Sequence, residues 1–441
     1  MRSFQGIFAV FLLTMVAVLG IVNSYPAFAD ERREYLHWNY KIGGEERLRY
    51  EYREHFGLDD SKKDNATHIF HRLKINATAD LTDEYLNKIA EVFVEGLDAR
   101  DIPYKTKAIL GQTDRFDLHQ AYVDIYSVMG SNFNVKLGRQ ELNYGEKRLI
   151  ASPTWLNAVR SWDGGVIHYH NGGLWSDLIY GQNVQYQDEE FNTSDGHEVL
   201  AGIYSGYQKT SVSPLIEWYF LNQDDTRGKS DIHRETAGVR GKINITPDTK
   251  LDVEVPYQWG RTGTTTAGTK EIKAYAFHAN ISKDFNDFVW TPQMNLAYDE
   301  ASGNKNPNGK YSHTFVPLYQ SVHEPYGEID FFRWENMRNP EFNIIFSPTE
   351  KFRFTPQIDF YWLQSKNDSW YNASGTALRT KTSGDRSYYV GSEASIRFYY
   401  DCTKNIKFET GYSHFFSGGY VKDTGPNDDA DWIYSQLILK F

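Results

Sequence analysis

The 441-residue sequence lacks most of the features that stabilise or anchor other classes of protein. Its single cysteine, Cys402, excludes an intramolecular disulfide. After the N-terminal segment, no apolar run reaches the roughly twenty residues of a membrane helix. Nucleotide-binding and helix-borne zinc motifs are absent, and so is a nucleophile with a base partner, so we expect neither a cofactor nor an enzyme. The net charge of -11 argues against nucleic acid as a partner.

The first thirty residues have the pattern of an export signal. Arg2 supplies a positive start, an apolar core follows over Ile7 to Val22, and Ala27-Phe28-Ala29 has the small-x-small form of a cleavage site. This pattern predicts a cleaved signal peptide over residues 1–29. Residues 30–441 contain no linker or composition change, which indicates a single domain.

The mature part is rich in aromatic residues, which make up 16% of the chain, and it alternates apolar and polar residues in about eighteen runs. Short and long connections between these runs follow each other in turn. The eight short ones are Leu81–Tyr85, Val128–Asn132, Asn171–Gly173, Gln208–Thr210, Thr246–Thr249, Lys283–Asp287, Ser347–Glu350 and Asp401–Asn405. With nine long ones, they predict an all-β fold, a transmembrane antiparallel β-barrel of about eighteen strands. Its short turns would be periplasmic and its long loops extracellular, in the outer membrane of a Gram-negative bacterium.

The last ten residues, Trp432 to Phe441, fit the closing strand of such a barrel. Ile433, Leu437, Leu439 and Phe441 share one face, and the chain ends on an aromatic residue. This ending resembles the insertion signal of outer-membrane barrels, so barrel-insertion machinery and outer-membrane lipid are expected partners.

Alternation also predicts which side chains face lipid and which face the lumen. In the first strand, Glu45–His55, Leu48 and Tyr50 would face lipid. In the strand over residues 387–400, Val390 would do the same. The inward-facing cations expected from this alternation are Arg47, Arg49, Arg53, Arg72, Lys74, Arg240, Arg353 and Arg397. They would either guide an anionic solute or pair with inward acids and keep the lumen wet.

Histidine pairs offer little evidence for a metal. His168 and His170 share a strand face, but a wet lumen accepts histidine without a metal ion, and we expect none.

One connection differs from a loop tip. Gly138–Gly165 reads GRQELNYGEKRLIASPTWLNAVRSWDGG, and it follows the segments FVEGLDAR (Phe93–Arg100) and DLHQAYVD (Asp117–Asp124). Together with GGEERLRYEY (Gly43–Tyr52), these segments resemble the signature of the alginate export family of outer-membrane proteins.

This resemblance implies a monomeric eighteen-stranded barrel that passes an acidic polyuronate through an arginine-lined constriction. Carried over by position, Arg139, Arg148 and Arg160 would line or brace that constriction. The residues that would orient these arginines are Glu141, Glu146 and Asp163, and Trp155 and Trp162 could contact sugar rings. The alternative is a folded-in loop held by internal Arg–carboxylate bonds without contact to a solute.

The leading hypothesis is therefore a channel for an anionic solute, expected to be an acidic polysaccharide such as alginate. A periplasmic export apparatus is a further candidate partner. A general or cation-preferring porin is the alternative, and a surface enzyme or adhesion barrel acting through loops 299–331 and 365–386 is a weaker one.

Overall fold

The computed structural model describes residues 36–441 except 60, 63, 105–108, 110, 188–189, 322, 324 and 381–385. The predicted signal peptide therefore lies outside the described residues. The strands in chain order are β1 (His37–Glu54), β2 (Ala66–Thr82), β3 (Lys88–Tyr104), β4 (Asp114–Ile125), β5 (Phe133–Gln140), β6 (Trp162–Asn171), β7 (Leu174–Gln185), β8 (Thr193–Tyr207), β9 (Leu215–Asp225), β10 (Ile232–Thr246), β11 (Thr249–Thr264), β12 (Gly268–Asp284), β13 (Gln293–Ala301), β14 (Tyr311–Ser312), β15 (Met337–Thr349), β16 (Phe352–Leu363), β17 (Trp370–Tyr371), β18 (Ala377–Arg379), β19 (Tyr389–Asp401), β20 (Ile406–Ser417) and β21 (Ala430–Lys440).

All but β14, β17 and β18 belong to one closed antiparallel barrel of eighteen strands, as predicted. The barrel closes where β1 pairs with β21, in a register that places Glu45 opposite Lys440 and Arg53 opposite Trp432. Closure leaves no free sheet edge, so the backbone groups of every barrel strand can pair with a neighbour inside the bilayer. This closure supplies the stability that the missing disulfides cannot.

The eight predicted short connections all lie at the end of the barrel that carries both termini. The alternation of lengths has two exceptions at the opposite end. Residues 265–267 alone join β11 and β12, and the connection from β9 to β10 (226–231) is shorter than the turn from β8 to β9 (208–214). The first strand is longer than predicted, because it begins at His37 and pairs with β2 from Thr82 onwards.

The predicted division between the lipid face and the lumen face holds along the strands. Leu48 and Tyr50 are exposed on the outer surface, whereas Arg47, Arg49 and Glu51 between them are buried. A charge at mid-depth on the lipid face costs about 2–4 kcal/mol, so charged residues collect on the inner face.

The prediction for Val390 is wrong. The pairing of β16 with β19 skips this residue, since Tyr361 faces Gly391 and Trp362 faces Tyr389. The extra residue is a β-bulge, which reverses the side-chain alternation locally. Val390 is therefore fully buried instead of facing lipid.

Three smaller elements lie in the long connections. β14 pairs in parallel with β12, and β17 and β18 form a separate hairpin. A short helix, α1 (Gly419–Thr424), precedes β21. Among the described residues, no helix is both long and apolar enough to cross a membrane.

The lipid face can be tested at the middle of β10. Val239 is exposed on the outer surface there, so Val239→Arg should lower the free energy of unfolding by about 2–4 kcal/mol. The control is Val212→Arg, because Val212 is exposed in the turn between β8 and β9. Urea unfolding of the two variants in lipid vesicles makes the comparison. Equal losses at both positions would contradict the assignment of the lipid face.

Candidate functional site: the lumen constriction

The connection from β5 to β6, residues 141–161, is folded into the barrel and touches opposite walls. At one side Arg148 donates to Glu254 of β11 (3.1 Å) and to Nε2 of His278 of β12 (2.6 Å). At the other side the backbone at Thr154 meets β1 and β2. In a ring of eighteen strands, β1 and β10–β12 are on opposite sides, so this segment, here called the crossing loop, spans the lumen.

Two inward arginines hold the crossing loop by its backbone. Arg47 of β1 and Arg72 of β2 both donate to the carbonyl oxygen of Thr154 at 2.7 Å, and both also reach the carbonyl of Leu156. Asn157 adds an acceptor for Arg47, and its own amide donates to backbone carbonyls of the wall. Both guanidinium groups are buried, so they act here as a clamp on the loop.

A third arginine of the same wall also holds the crossing loop, by a hydrogen bond and by a contact with an aromatic ring. Arg49 donates to the carbonyl of Trp155 (2.7 Å), and its guanidinium carbon lies 3.8 Å from the centroid of the Trp155 ring. The same indole stacks on His323, whose ring is parallel to it at 3.8 Å, and it meets Trp432 and Tyr434 edge-on. Trp155 is thus fixed between the wall and a second inward segment.

That second segment, residues 302–336 between β13 and β15, is here called the bracing loop. Gln258 of β11 makes two hydrogen bonds with the backbone of Val316, at 2.8 and 3.1 Å. At the far side, Glu393 of β19 accepts from the backbone N–H groups of Glu328 (2.7 Å) and Ile329 (3.2 Å). The prediction that residues 299–331 act outside the cell is therefore wrong for this stretch.

The two loops are joined to each other by backbone hydrogen bonds. Ala151 donates to the carbonyl of Tyr319, and Tyr319 donates to the carbonyl of Leu149, both at 2.7 Å. Between and around them lies a packed aromatic layer inside the barrel. Its fully buried members include Trp162, Phe315, Trp334, Tyr361, Trp370, Phe415, Tyr420 and Tyr434. Trp162 is therefore part of a core, whereas Trp155 is only partly buried.

The wall opposite the arginine clamp carries a network of buried charges. Arg240 of β10 contacts Asp252 (2.9 and 2.5 Å), Glu217 (2.5 Å) and Glu146 of the crossing loop (2.7 Å). Lys242 makes a second bond to Glu146 (3.1 Å) and is far more exposed. Glu146 thus ties the crossing loop to β10.

Two arginines of the family signature form hydrogen bonds and ion pairs with other residues of the protein. Arg139 makes a forked pair with Asp163 at 2.7 and 2.9 Å, and it also donates to two backbone carbonyls. Arg160 donates to the carbonyls of Ala151 and Tyr319, where the two loops meet. That these arginines contact a solute stays a prediction.

The remaining predicted cations differ in exposure. Arg53 pairs with Glu51 (2.7 Å), and Arg397 pairs with Glu328 of the bracing loop (3.0 Å). Arg353 is exposed near the short-turn end and lies over the ring of Tyr399 at 4.3 Å. Of these three, only Arg353 presents its charge to bulk water.

Lys74 is surrounded by a cluster that the sequence did not reveal. Its ammonium lies 3.3 Å from Glu95 and 3.0 Å from Glu141, and Glu141 also bonds His119 at 2.8 Å. These residues come from four separate parts of the sequence, so no local spacing marks them. His168, one of the two histidines that share a strand face, pairs with Asp177 (2.8 Å).

A cavity of about 550 Å³, here called the vestibule, lies on the terminus-bearing side of the loops. The crossing and bracing loops contribute Thr154, Trp155 and Ser321 to its lining. Its charged lining consists of Arg47, Arg72, Lys74, Lys440, Glu45, Glu95, Glu141 and Glu409. Basic and acidic groups are therefore balanced in number around it.

An ion pair stabilises the bracing loop itself. Nε2 of His323 lies 2.9 Å from Glu328. Burial alone would lower the pKa of His323, but the charges of Glu328 and Asp330 raise it to about 10. Burial would raise the pKa of Glu328, yet Arg397 and His323 lower it to about 2. Both residues lie in a connection between strands, and both are charged at neutral pH.

Sequence comparison agrees with this architecture. The profile of the alginate export family matches residues 39–434, which is nearly the whole described chain. The chain belongs to the alginate export family. Among curated proteins, none matches it at a significant level.

Solved structures similar to this family member are outer-membrane porins. OccAB2 of Acinetobacter baumannii superimposes with a TM-score of 0.61 at 10% identity, over 91% of this chain and 98% of that one. OpdO of Pseudomonas aeruginosa gives a TM-score of 0.58 at 14% identity, over 91% and 97% of the two chains. The outer membrane protein OpdK of the same species gives 0.58 at 10% identity, over 91% and 99%. At such identities the likeness concerns the fold alone. Family and fold together identify an outer-membrane channel.

The charge network at Arg240 should be essential for stability. Arg240→Met leaves three carboxylates without their shared partner, so the free energy of unfolding should fall by about 3–5 kcal/mol. Lys242→Met is the matched control, since it removes a neighbouring, half-exposed bond to the same Glu146 and should cost no more than about 1 kcal/mol. Denaturant titration of both variants gives the difference. Similar costs would show that the network is not concentrated on Arg240.

The His323–Glu328 pair predicts how the order of the bracing loop depends on pH. Since the pKa of His323 is raised, its contribution is complete below about pH 6.5 and is lost progressively as pH rises to about 10. Since the pKa of Glu328 is lowered, its contribution is complete above about pH 4.5 and is lost as pH falls to about 2.

Stability should therefore be greatest between about pH 4.5 and 6.5. His323→Gln should remove the decline on the alkaline side, which thermal unfolding at a series of pH values measures. His197→Gln, which changes an exposed histidine bonded to Thr226, is the control and should keep the decline. An unchanged alkaline decline in His323→Gln would rule out this pair as its source.

Proposed function

We propose that this channel carries anionic solutes, the largest of which is an acidic polysaccharide such as alginate. The observation that carries the proposal is the convergence of cations from the first two strands and the last strand on the vestibule. Arg47, Arg72, Lys74 and Lys440 lie on that side, next to the inward loops. A lumen with low-dielectric walls focuses the field of such groups onto the path of a solute.

Exposure separates the cations that could act on a solute from those that hold the loops. Arg47 and Arg72 are buried against backbone carbonyls. Lys440 has a side chain that is 60% exposed, and its ammonium lies at a long 3.8 Å from Glu45. Arg353 is exposed as well. We infer that Lys440 and Arg353 attract the solute near the short-turn end, and that the clamp arginines keep the path narrow.

The size of the solute depends on the two loops. A polysaccharide chain would have to pass the crossing and bracing loops, so we infer that their position controls passage. Trp155 lines the vestibule, but its indole already lies between Arg49 and His323, so we infer that it shapes the wall of the path and does not offer a free face to a sugar ring. This is the place at which the sequence signature and the cavity coincide.

A general or cation-preferring porin is the second candidate, and one observation favours it. The lining of the vestibule contains four acidic residues as well as four basic ones, so its charges are balanced in number. The acidic residues are Glu45, Glu95, Glu141 and Glu409. Such a lining would pass small hydrophilic solutes of either sign.

Export and assembly complete the proposal. We infer that residues 1–29 are removed on export and that the β21 strand is read by barrel-insertion machinery. Phe441 is exposed on the outer surface, where its ring lies against Gly44 of β1. A periplasmic apparatus would deliver a polysaccharide to the end that carries the termini.

Ion selectivity distinguishes the two candidates. In planar bilayers with a KCl gradient, the reversal potential should show anion preference at 0.1 M salt, and the preference should weaken near 1 M because the Debye length falls from about 10 Å to about 3 Å. The double variant Lys440→Glu with Arg353→Glu should shift the reversal potential towards cations. Arg261→Glu is the control, because Arg261 lies on β11 and pairs with Asp231.

The polysaccharide part needs a separate measurement. Oligomers of mannuronate added on the terminus-bearing side should block the current, whereas neutral dextran of equal length should not. Cation preference in the unaltered channel would reject the anion proposal in favour of the second candidate. Anion preference without block by mannuronate would reject the polysaccharide alone.

A further inference from the structure

Three possible metal ligands meet on the wall of the vestibule. Glu95 lies on β3, His119 on β4, and Glu141 directly after the end of β5. These strands are neighbours, since β3 pairs with β4 and β4 pairs with β5. One ligand atom from each residue lies within 4.8 Å of the other two, and Glu95 and His119 are buried. None of the three is needed to hold the crossing loop at its clamp.

We propose that Glu95, His119 and Glu141 form a binding site for a divalent transition-metal ion of the zinc type. Zinc binds imidazole nitrogen and carboxylate oxygen at about 2.0–2.2 Å, so its ligand atoms lie about 3–3.6 Å apart. Here Nε2 of His119 lies 2.8 Å from Glu141 and 4.0 Å from Glu95. Small side-chain movements bring all three into range, and the vestibule leaves water for a fourth position.

Other side chains already position the carboxylate of Glu95 and the backbone of Glu141. Gln120 donates to Glu95 (3.1 Å) and accepts from the backbone N–H of Glu141 (3.1 Å), so one amide positions both ligands. Asn76 adds a longer bond to Glu95 (3.4 Å). Support of this kind is typical of metal sites, where the ligands themselves are hydrogen-bonded.

Lys74 is the competitor for the ion. Its ammonium lies 3.0–3.3 Å from both carboxylates and offsets one of their two negative charges. A lysine is a compact charge on a flexible stem, so it can withdraw into the vestibule when a divalent ion arrives. Binding then exchanges one cation for another, and His119 has to present an unprotonated Nε2.

The donor set selects the class of metal. Calcium prefers six to eight oxygen ligands, and magnesium prefers oxygen ligands in an octahedron with several waters. A site made of one histidine nitrogen and two carboxylates suits neither ion. Imidazole with carboxylates suits Zn²⁺, and Co²⁺ can replace it as a coloured probe. The site would therefore bind these ions in preference to calcium.

Titration of the untagged, folded barrel in detergent with ZnCl₂ tests the proposal. Zinc should bind with one site per chain, and CoCl₂ should give visible absorption bands of a low-coordinate site. His119→Ala together with Glu141→Gln should abolish binding. Gln120→Leu should weaken it by about 10–100-fold. Lys74→Met should tighten it, and zinc should raise the melting temperature of that variant more than that of the unaltered barrel.

His168→Ala is the matched control, because His168 is also paired with a carboxylate but does not belong to the three-ligand cluster found among the described residues. Its affinity for zinc should equal that of the unaltered protein. Folding of each variant is checked by heat-dependent migration on gels. Zinc binding that survives in the His119→Ala with Glu141→Gln variant would overturn the proposal. So would a lack of binding in both the unaltered barrel and Lys74→Met, which would leave the cluster as an internal salt bridge.

Discussion

A charge inside this barrel has to meet an opposite charge, a backbone carbonyl or water, and this requirement organises the lumen. Because the lipid face excludes charge, alternation forces the charged residues inward. On one wall Arg47 and Arg72 donate hydrogen bonds to backbone carbonyls of the crossing loop. On the opposite wall Arg240 forms ion pairs with three carboxylates. The inward loops are therefore held in place by the same groups that keep the lumen polar.

Bridging opposite walls has a consequence for passage. A barrel of sixteen to eighteen strands leaves an aqueous channel when nothing fills it. Here the crossing loop runs from the clamp at β1 and β2 to Glu254 and His278 on the far side, and the bracing loop contributes Phe315 and Trp334 to the aromatic layer. The solute path is thus determined by the loops, and the barrel wall determines where the loops are fastened.

The fold could be predicted closely because each step depends on local periodicity. Turn positions, strand number and the lipid face follow from alternation. Bulges interrupt the alternation at several places, and the one at Val390 reverses a predicted side chain. The loops were harder, because the partners of Arg148 and Glu146 lie about a hundred positions away. Sequence patterns suggested that these residues are important, but not which groups they bind. The cluster of Glu95, His119 and Glu141 was missed for the same reason, since only strand pairing brings it together.

The position of Glu141 connects this cluster to the constriction. It is the first residue after β5, so the crossing loop starts at the wall of the vestibule, and the amide of Gln120 holds that start. Lys74 follows Arg72 by two residues on the same inward face of β2, and Arg72 clamps the other part of the loop at Thr154. A change of the cation between Glu95 and Glu141 therefore acts directly on the start of the crossing loop. Any ion that displaces Lys74 also leaves an extra positive charge free in the vestibule, beside the path that an anionic solute would take.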